Sequence, residues 1–121
     1  MLSGIQVLIV EDEALVAASL SDVMENAGGE VVGVARSVSE ARELIRRLTF
    51  DAAVLDLHLP GGDVTPILEA LHAGRAPTIV YSGDELPEKV RARHPELVAL
   101  RKPVLTGRLM AEILRARRTD L

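Results

Sequence analysis

The chain has no cysteine and no tryptophan, and only one phenylalanine and one tyrosine. Without cysteine it can form neither disulfides nor thiolate metal sites, which is compatible with a reducing cytosol and sets the expectation of a cytoplasmic protein. With one phenylalanine, one tyrosine and no tryptophan, stacking on nucleotide bases has little to draw on. Excess positive charge is missing as well. A net charge of −4 argues against a surface built to neutralise phosphate backbones. The longest apolar stretches fall far short of a membrane span. The opening Met1-Leu2-Ser3-Gly4 lacks a basic segment, so no signal peptide is expected. Neither nucleic acid nor membrane is an expected partner.

What is present is aliphatic. Apolar residues make up 48% of 121, enough for one core, and a single domain over residues 1–121 is expected. Helical and extended patterns alternate five times, the signature of a doubly wound parallel α/β sheet. Ile5 to Val10 reads as the first strand. Leu15, Val16, Ser19, Leu20, Val23, Met24 and Ala27 then recur at helical spacing, until Gly28-Gly29 ends the run. Val31 to Ala35 reads as strand two. Ser37 with Glu40 forms a capping-box signature, and Val38, Ala41, Leu44, Ile45 and Leu48 share one helical face. The third strand, roughly Ala52 to Asp56, is continuously apolar and so expected to be buried on both faces.

Leu59-Pro60-Gly61-Gly62-Asp63 is turn chemistry, and Thr65-Pro66 reads as an N-cap followed by proline at the first helical position. Gly74 ends that helix, and strand four follows Pro77. A fourth helix within Leu86 to Arg93 has few apolar anchors. Strand five is Leu97 to Leu100, and Thr106 is expected to cap a fifth helix that turns Leu109, Met110, Ile113 and Leu114 to the core.

Polar, chemically capable residues stand where four apolar runs end: Glu11 and Asp12 after the first, Asp56 after the third, Ser82 after the fourth, Lys102-Pro103 after the fifth. In a parallel sheet these ends share one edge, where open α/β folds place their sites. Taken singly, an acidic pair at a strand end is more often a solvated loop or a favourable helix start. A lone Asp before a turn is usually a turn former. Four such positions in order are a different matter, because they converge on one cluster of three carboxylates, a hydroxyl and an ammonium. Clustered carboxylates supply hard oxygen ligands of the kind Mg²⁺ takes. An Asp carboxylate is also a competent nucleophile toward phosphorus.

With these motifs in place, nearly the whole chain resembles the phosphoacceptor receiver domain of two-component response regulators. The resemblance implies a flavodoxin-like (βα)5 fold with strand order 2-1-3-4-5. It implies Asp56 as the phosphoacceptor and Ser82 and Lys102 as contacts to the phosphoryl group. Mg²⁺ would be held by Glu11, Asp12, Asp56 and the backbone carbonyl of His58. The implied donor is a sensor histidine kinase or a histidine phosphotransfer protein, with a further downstream protein partner. The chain would be a monomer or weak homodimer, and a phosphoacceptor assisting its own phosphorylation and dephosphorylation rather than an enzyme. Pro60, four residues after Asp56, fits the family's turn. Ala99 stands where the family usually has a switch aromatic, and Val64 where it usually has glycine. Ser82-Gly83 is similar to stand-alone receivers whose fourth strand ends Phe-Ala-Thr-Gly-hydrophobic-Tyr. Together with the chain ends, this sets the expectation of a single-domain regulator, the alternative being the N-terminal receiver of a longer one.

Two other readings fit less well. A small Asp-nucleophile phosphatase generally has an acid/base Asp two residues beyond the nucleophile, where this chain has His58. A flavin-binding module would want a phosphate-cradling loop after the first strand, yet Glu11-Asp12-Glu13 would repel phosphate. His58, His72 and His94 are not spaced as a metal set. Arg115, Arg117 and Arg118 read as a solvated basic helix end, and no helix-turn-helix accompanies them.

Overall fold

The computed structural model describes residues 2–83, 85–95, 97–101 and 106–119, with backbone alone at 106, 107, 110 and 116–119. The chain runs β1 (Gln6–Val10), α1 (Ala14–Asn26), β2 (Glu30–Ala35), α2 (Val38–Arg47), β3 (Ala52–Leu55), α3 (Thr65–Ala73), β4 (Thr78–Ser82), α4 (Glu88–Arg93), β5 (Val98–Arg101) and α5 (Thr106–Thr119). All strand pairs are parallel, in the order β2-β1-β3-β4-β5. This is the expected doubly wound architecture.

Side-chain alternation along the inner strands divides the core into two layers. Val7 and Ile9 of β1 and Ala52 and Val54 of β3 face a cluster with Leu20, Met24, Leu109 and Ile113 of α1 and α5. Leu8, Val10, Ala53 and Leu55 face the opposite cluster, with Val38 and Ala41 of α2 and Ile67, Leu68 and Leu71 of α3. All four residues of β3 are buried, which is why that run is apolar without alternation. At the sheet edge, β2 is only half-buried. A Cβ on Gly33 would lie 3.0 Å from Leu48 Cδ1, so glycine lets α2 sit close to this strand.

Helix ends follow from local chemistry. Gly28 takes φ +93°, and the Gly28 and Gly29 amides donate to the Glu25 and Met24 carbonyls at 3.0 and 2.9 Å, a Schellman closure of α1. The Ser37 hydroxyl accepts from the Glu40 amide at 3.2 Å, as the capping box requires. The Glu40 carboxylate, however, reaches the Arg36 amide at 2.7 Å rather than that of Ser37. The expected N-cap at Thr65 is corrected: Thr65 is the first residue of α3, and Asp63 Oδ1 accepts from its amide at 2.9 Å and its hydroxyl at 2.8 Å. Leu15 also departs from expectation, with 85% exposure. It lies about 140° round the helix from Leu20, off the Ala17, Leu20, Met24 stripe that packs. With Val16, Val23, Tyr81 and Leu109 it lines an open cleft of ≈ 330 Å³. The Thr106 and Met110 side chains lie outside the described residues. Among the described residues no helix is long and apolar enough to cross a membrane.

Candidate functional site

The carboxyl ends of β1, β3 and β4 bring the expected residues to one edge. Glu11 follows β1 directly, and its amide continues the sheet by donating to the Ala35 carbonyl at 2.9 Å. Asp56 follows β3, its amide donating to Val10 at 2.9 Å. Ladder-type bonds therefore extend one residue past each strand and lock both backbones. The carboxylates of Glu11, Asp12 and Asp56 each present an oxygen within 4.8 Å of the others. Glu11 and Asp56 are 1% and 5% exposed, while Asp12 is half-buried. Burial so close to like charges calls for compensation by hydrogen bonds or a cation.

Part of that compensation comes from backbone. Asp56 Oδ1 accepts the His58 amide at 2.9 Å, which sets the rotation of the carboxylate. Glu11 Oε2 accepts the Glu13 amide at 3.1 Å. His58 is itself exposed, and its amide reaches the site. Ser82 closes β4, the strand next to β3, and is 1% exposed. Across the ladder it pairs with Arg101 of β5. Lys102 and Pro103, expected to complete the cluster, lie outside the described residues, as does Asp84.

Past Ser82, the chain is tied to β5. Arg101 Nη2 donates to the Gly83 carbonyl at 3.4 Å, and its Nη1 stands 3.9 Å from Glu85. Ala99 is exposed on β5. Arg36 was not singled out by sequence reasoning. It follows β2 at the same edge, and its guanidinium donates twice to the Asp12 backbone carbonyl, at 3.1 and 2.9 Å. The available signal was its position, one residue past a strand end on the functional edge.

The three-carboxylate cluster fits a hard divalent cation: all donors are oxygens, they converge, and two of them are withdrawn from water. A parallel sheet of this order with an acidic, oxygen-rich edge defines a flavodoxin-like α/β domain, with that edge at the carboxyl ends of its strands, where such folds place their sites. The chain belongs to the response regulator receiver domain family, which it matches over residues 7–114. It is 38% identical over 105 residues to protein-glutamate methylesterase/protein-glutamine glutaminase 5 of Myxococcus xanthus, a match covering 83% of this chain but 30% of that protein. It thus spans about a third of that relative's length. The signal receiver domain of a modulated diguanylate cyclase from Desulfovibrio desulfuricans superposes with a TM-score of 0.86 at 32% identity, covering 96% of this chain and 95% of that one. The receiver domain of a sensor histidine kinase from Pseudomonas aeruginosa, with a magnesium ion coordinated in its active-site cleft, shares the fold. Its TM-score is 0.82 at 21% identity, covering 96% and 99% of the two chains.

Proposed function

We propose that residues 1–121 form one receiver domain in which Asp56 accepts a phosphoryl group from the phosphohistidine of a sensor histidine kinase or histidine phosphotransfer protein. The observation that carries this reading is the convergence of the Glu11, Asp12 and Asp56 carboxylates within 4.8 Å at the end of β1 and β3. In the transfer, an Asp56 oxygen forms the new P–O bond as the P–N bond to the donor imidazole breaks. The imidazole nitrogen keeps the electron pair and takes up a proton. The product is an acyl phosphate. Asp56 is suited to this role because the His58 amide holds one of its oxygens and so orients the other.

Glu11, Asp12, Asp56 and the His58 carbonyl would hold Mg²⁺, which when bound supplies positive charge against the clustered carboxylates and the transferring oxygens. The Ser82 hydroxyl, buried at the end of the neighbouring strand, would donate to a phosphoryl oxygen. Lys102 would add a cation at the end of β5. The protein then acts as a phosphoacceptor that assists its own phosphorylation and hydrolysis, in the cytoplasm, and signals to a protein partner by a change in conformation.

Intact-mass analysis after incubation with acetyl phosphate and Mg²⁺ tests the reading. One phosphoryl adduct is expected, lost in Asp56→Asn. An adduct retained by that variant, or none in the parent, overturns it.

A further inference from the structure

One peptide group in the turn between β1 and α1 is gripped from both sides. Its carbonyl, that of Asp12, accepts Nε and Nη2 of Arg36 at 3.1 and 2.9 Å. Its amide, that of Glu13, donates to Glu11 Oε2 at 3.1 Å. Because a peptide unit is planar and trans, its C=O and N–H point in opposite directions. Whatever fixes the Asp12 carbonyl therefore also aims the Glu13 amide at the Glu11 carboxylate. A cationic donor on the carbonyl further polarises the peptide and strengthens the bond made by its N–H.

Arg36 is itself anchored. Its amide donates to Glu40 Oε1 at 2.7 Å, and the Glu40 amide donates to the Ser37 hydroxyl at 3.2 Å. The start of α2 is thereby connected through Arg36 to the turn that bears two of the three clustered carboxylates.

We infer that Arg36 is a positioning residue for the acidic cluster, setting its affinity for a divalent cation through the Asp12–Glu13 peptide. This rests on the reading of Glu11, Asp12 and Asp56 as a cation site. Two effects of Arg36 have opposite signs, which makes the inference separable. As a charge, Arg36 partly offsets the carboxylates and so opposes cation binding; its exposure leaves that effect screened. As a planar fork on one carbonyl it holds the turn in a ligating shape, which a lysine ammonium does not reproduce. The geometric effect is the larger, so loss of the fork weakens cation binding even where the charge is kept.

The test is titration of the whole chain with Mg²⁺, followed by nuclear magnetic resonance at the amides of Glu11, Asp12 and Glu13, for the parent, Arg36→Lys and Arg36→Gln. Thermal unfolding confirms that each variant is folded. Both variants are expected to bind Mg²⁺ about tenfold more weakly, the low end for residues that orient metal ligands. In metal-free buffer their Glu13 amide resonance should move upfield as its bond to Glu11 loosens. Parental affinity in Arg36→Lys, or tighter binding in Arg36→Gln, makes charge the governing effect and overturns the inference while leaving the cation site intact. No saturable shift in the parent removes the cation site itself, and the inference with it. Should Arg36→Gln fail to fold, Arg36→Lys alone decides.

Discussion

The His58 amide donates to Asp56 Oδ1 at 2.9 Å, so the turn after β3 sets the orientation of the carboxylate that ends it. An asparagine at this position keeps an Oδ1 acceptor for the same amide. Asp56→Asn is therefore expected to keep the fold and this contact while losing the nucleophilic oxygen. Phosphorylation by acetyl phosphate and binding of beryllofluoride should both vanish. Mass spectrometry and fluorine resonance check this, and single-site labelling that survives the substitution contradicts the assignment.

Asp12 shares its site with two buried carboxylates within 4.8 Å. Removing one of three like charges relieves repulsion of about 1 kcal/mol for a half-exposed group in a water-like dielectric. In a chain of this size that corresponds to a rise of about 4 °C in the unfolding midpoint. Asp12→Ala is thus expected to be more stable than the parent in chelator and to bind Mg²⁺ more weakly. Scanning calorimetry with and without the metal decides it. A clearly lowered midpoint in chelator counts against mutual repulsion in the cluster.

Hydrogen bonds from the Thr65 amide, then from its hydroxyl, hold the Asp63 carboxyl below its ordinary value. A depressed carboxyl stabilises the fold at a pH above its unfolded value. That contribution is lost as pH falls from there through the lowered folded value. The parent should lose stability over this acid range relative to Asp63→Asn, whose side-chain acceptor does not titrate. Denaturant unfolding at a series of acidic pH values measures the difference, and parallel curves for the two proteins would refute a stabilising role for the Asp63–Thr65 bonds.

How much of this was legible beforehand depended on whether a feature was local. Strand ends and turn residues placed Glu11, Asp12, Asp56 and Ser82 on one edge, because a parallel sheet leaves them no other place. The two-sided burial of β3 was readable from Ala52-Ala53-Val54-Leu55 for the same reason. The side-chain bonding at the start of α3 was not. Asp63 and Thr65 are both good cap formers two residues apart, and only the backbone path decides which accepts and which donates. The exposure of Leu15 depended on the exact phase of α1 against the sheet. The Arg36 contact to Asp12 joins residues 24 apart; the position of Arg36 just past a strand end puts it on the functional edge, but the local pattern does not name its partner.

Among the described residues, Gly83 has open space where a side chain would begin, with none of their atoms within 4 Å of an added Cβ. A larger residue there should fold normally but crowd the approach to Asp56 from β4. Gly83→Val is expected to be phosphorylated more slowly by a protein phosphodonor, with its Mg²⁺ affinity unchanged. Stopped-flow or quench measurements give the rate, and rates equal to the parent's dismiss Gly83 as the border of the access path.

The last expectation concerns how phosphorylation is read out. Ala99 is exposed on β5 and offers no ring to swing inward when Ser82 moves toward a phosphoryl group. Helix α4 is six residues long and buries none of them. It is tied to α3 by the exposed Arg93–Glu69 pair at 2.9 Å and, just past its end, by buried His94, whose ring packs edge-on to His72 at 5.7 Å. Exposed ion pairs contribute little, at most about 1 kcal/mol. The contacts from Arg101 to Gly83 and Glu85, at 3.4 and 3.9 Å, are equally exposed. Leu100 is buried, and Val90, Leu97 and Val98 pack partly against the core, so within the stretch from Gly83 to Arg101 it is the segment around α4 that should open locally at low free energy. New phosphoryl contacts at Ser82 would then order it, a transition of the kind that converts site chemistry into a surface change. Hydrogen exchange with and without beryllofluoride and Mg²⁺ should show protection gained mainly in α4 and its flanking turns. If protection grows only around Glu11, Asp12 and the start of α1, metal binding alone accounts for the change and the ordering model fails.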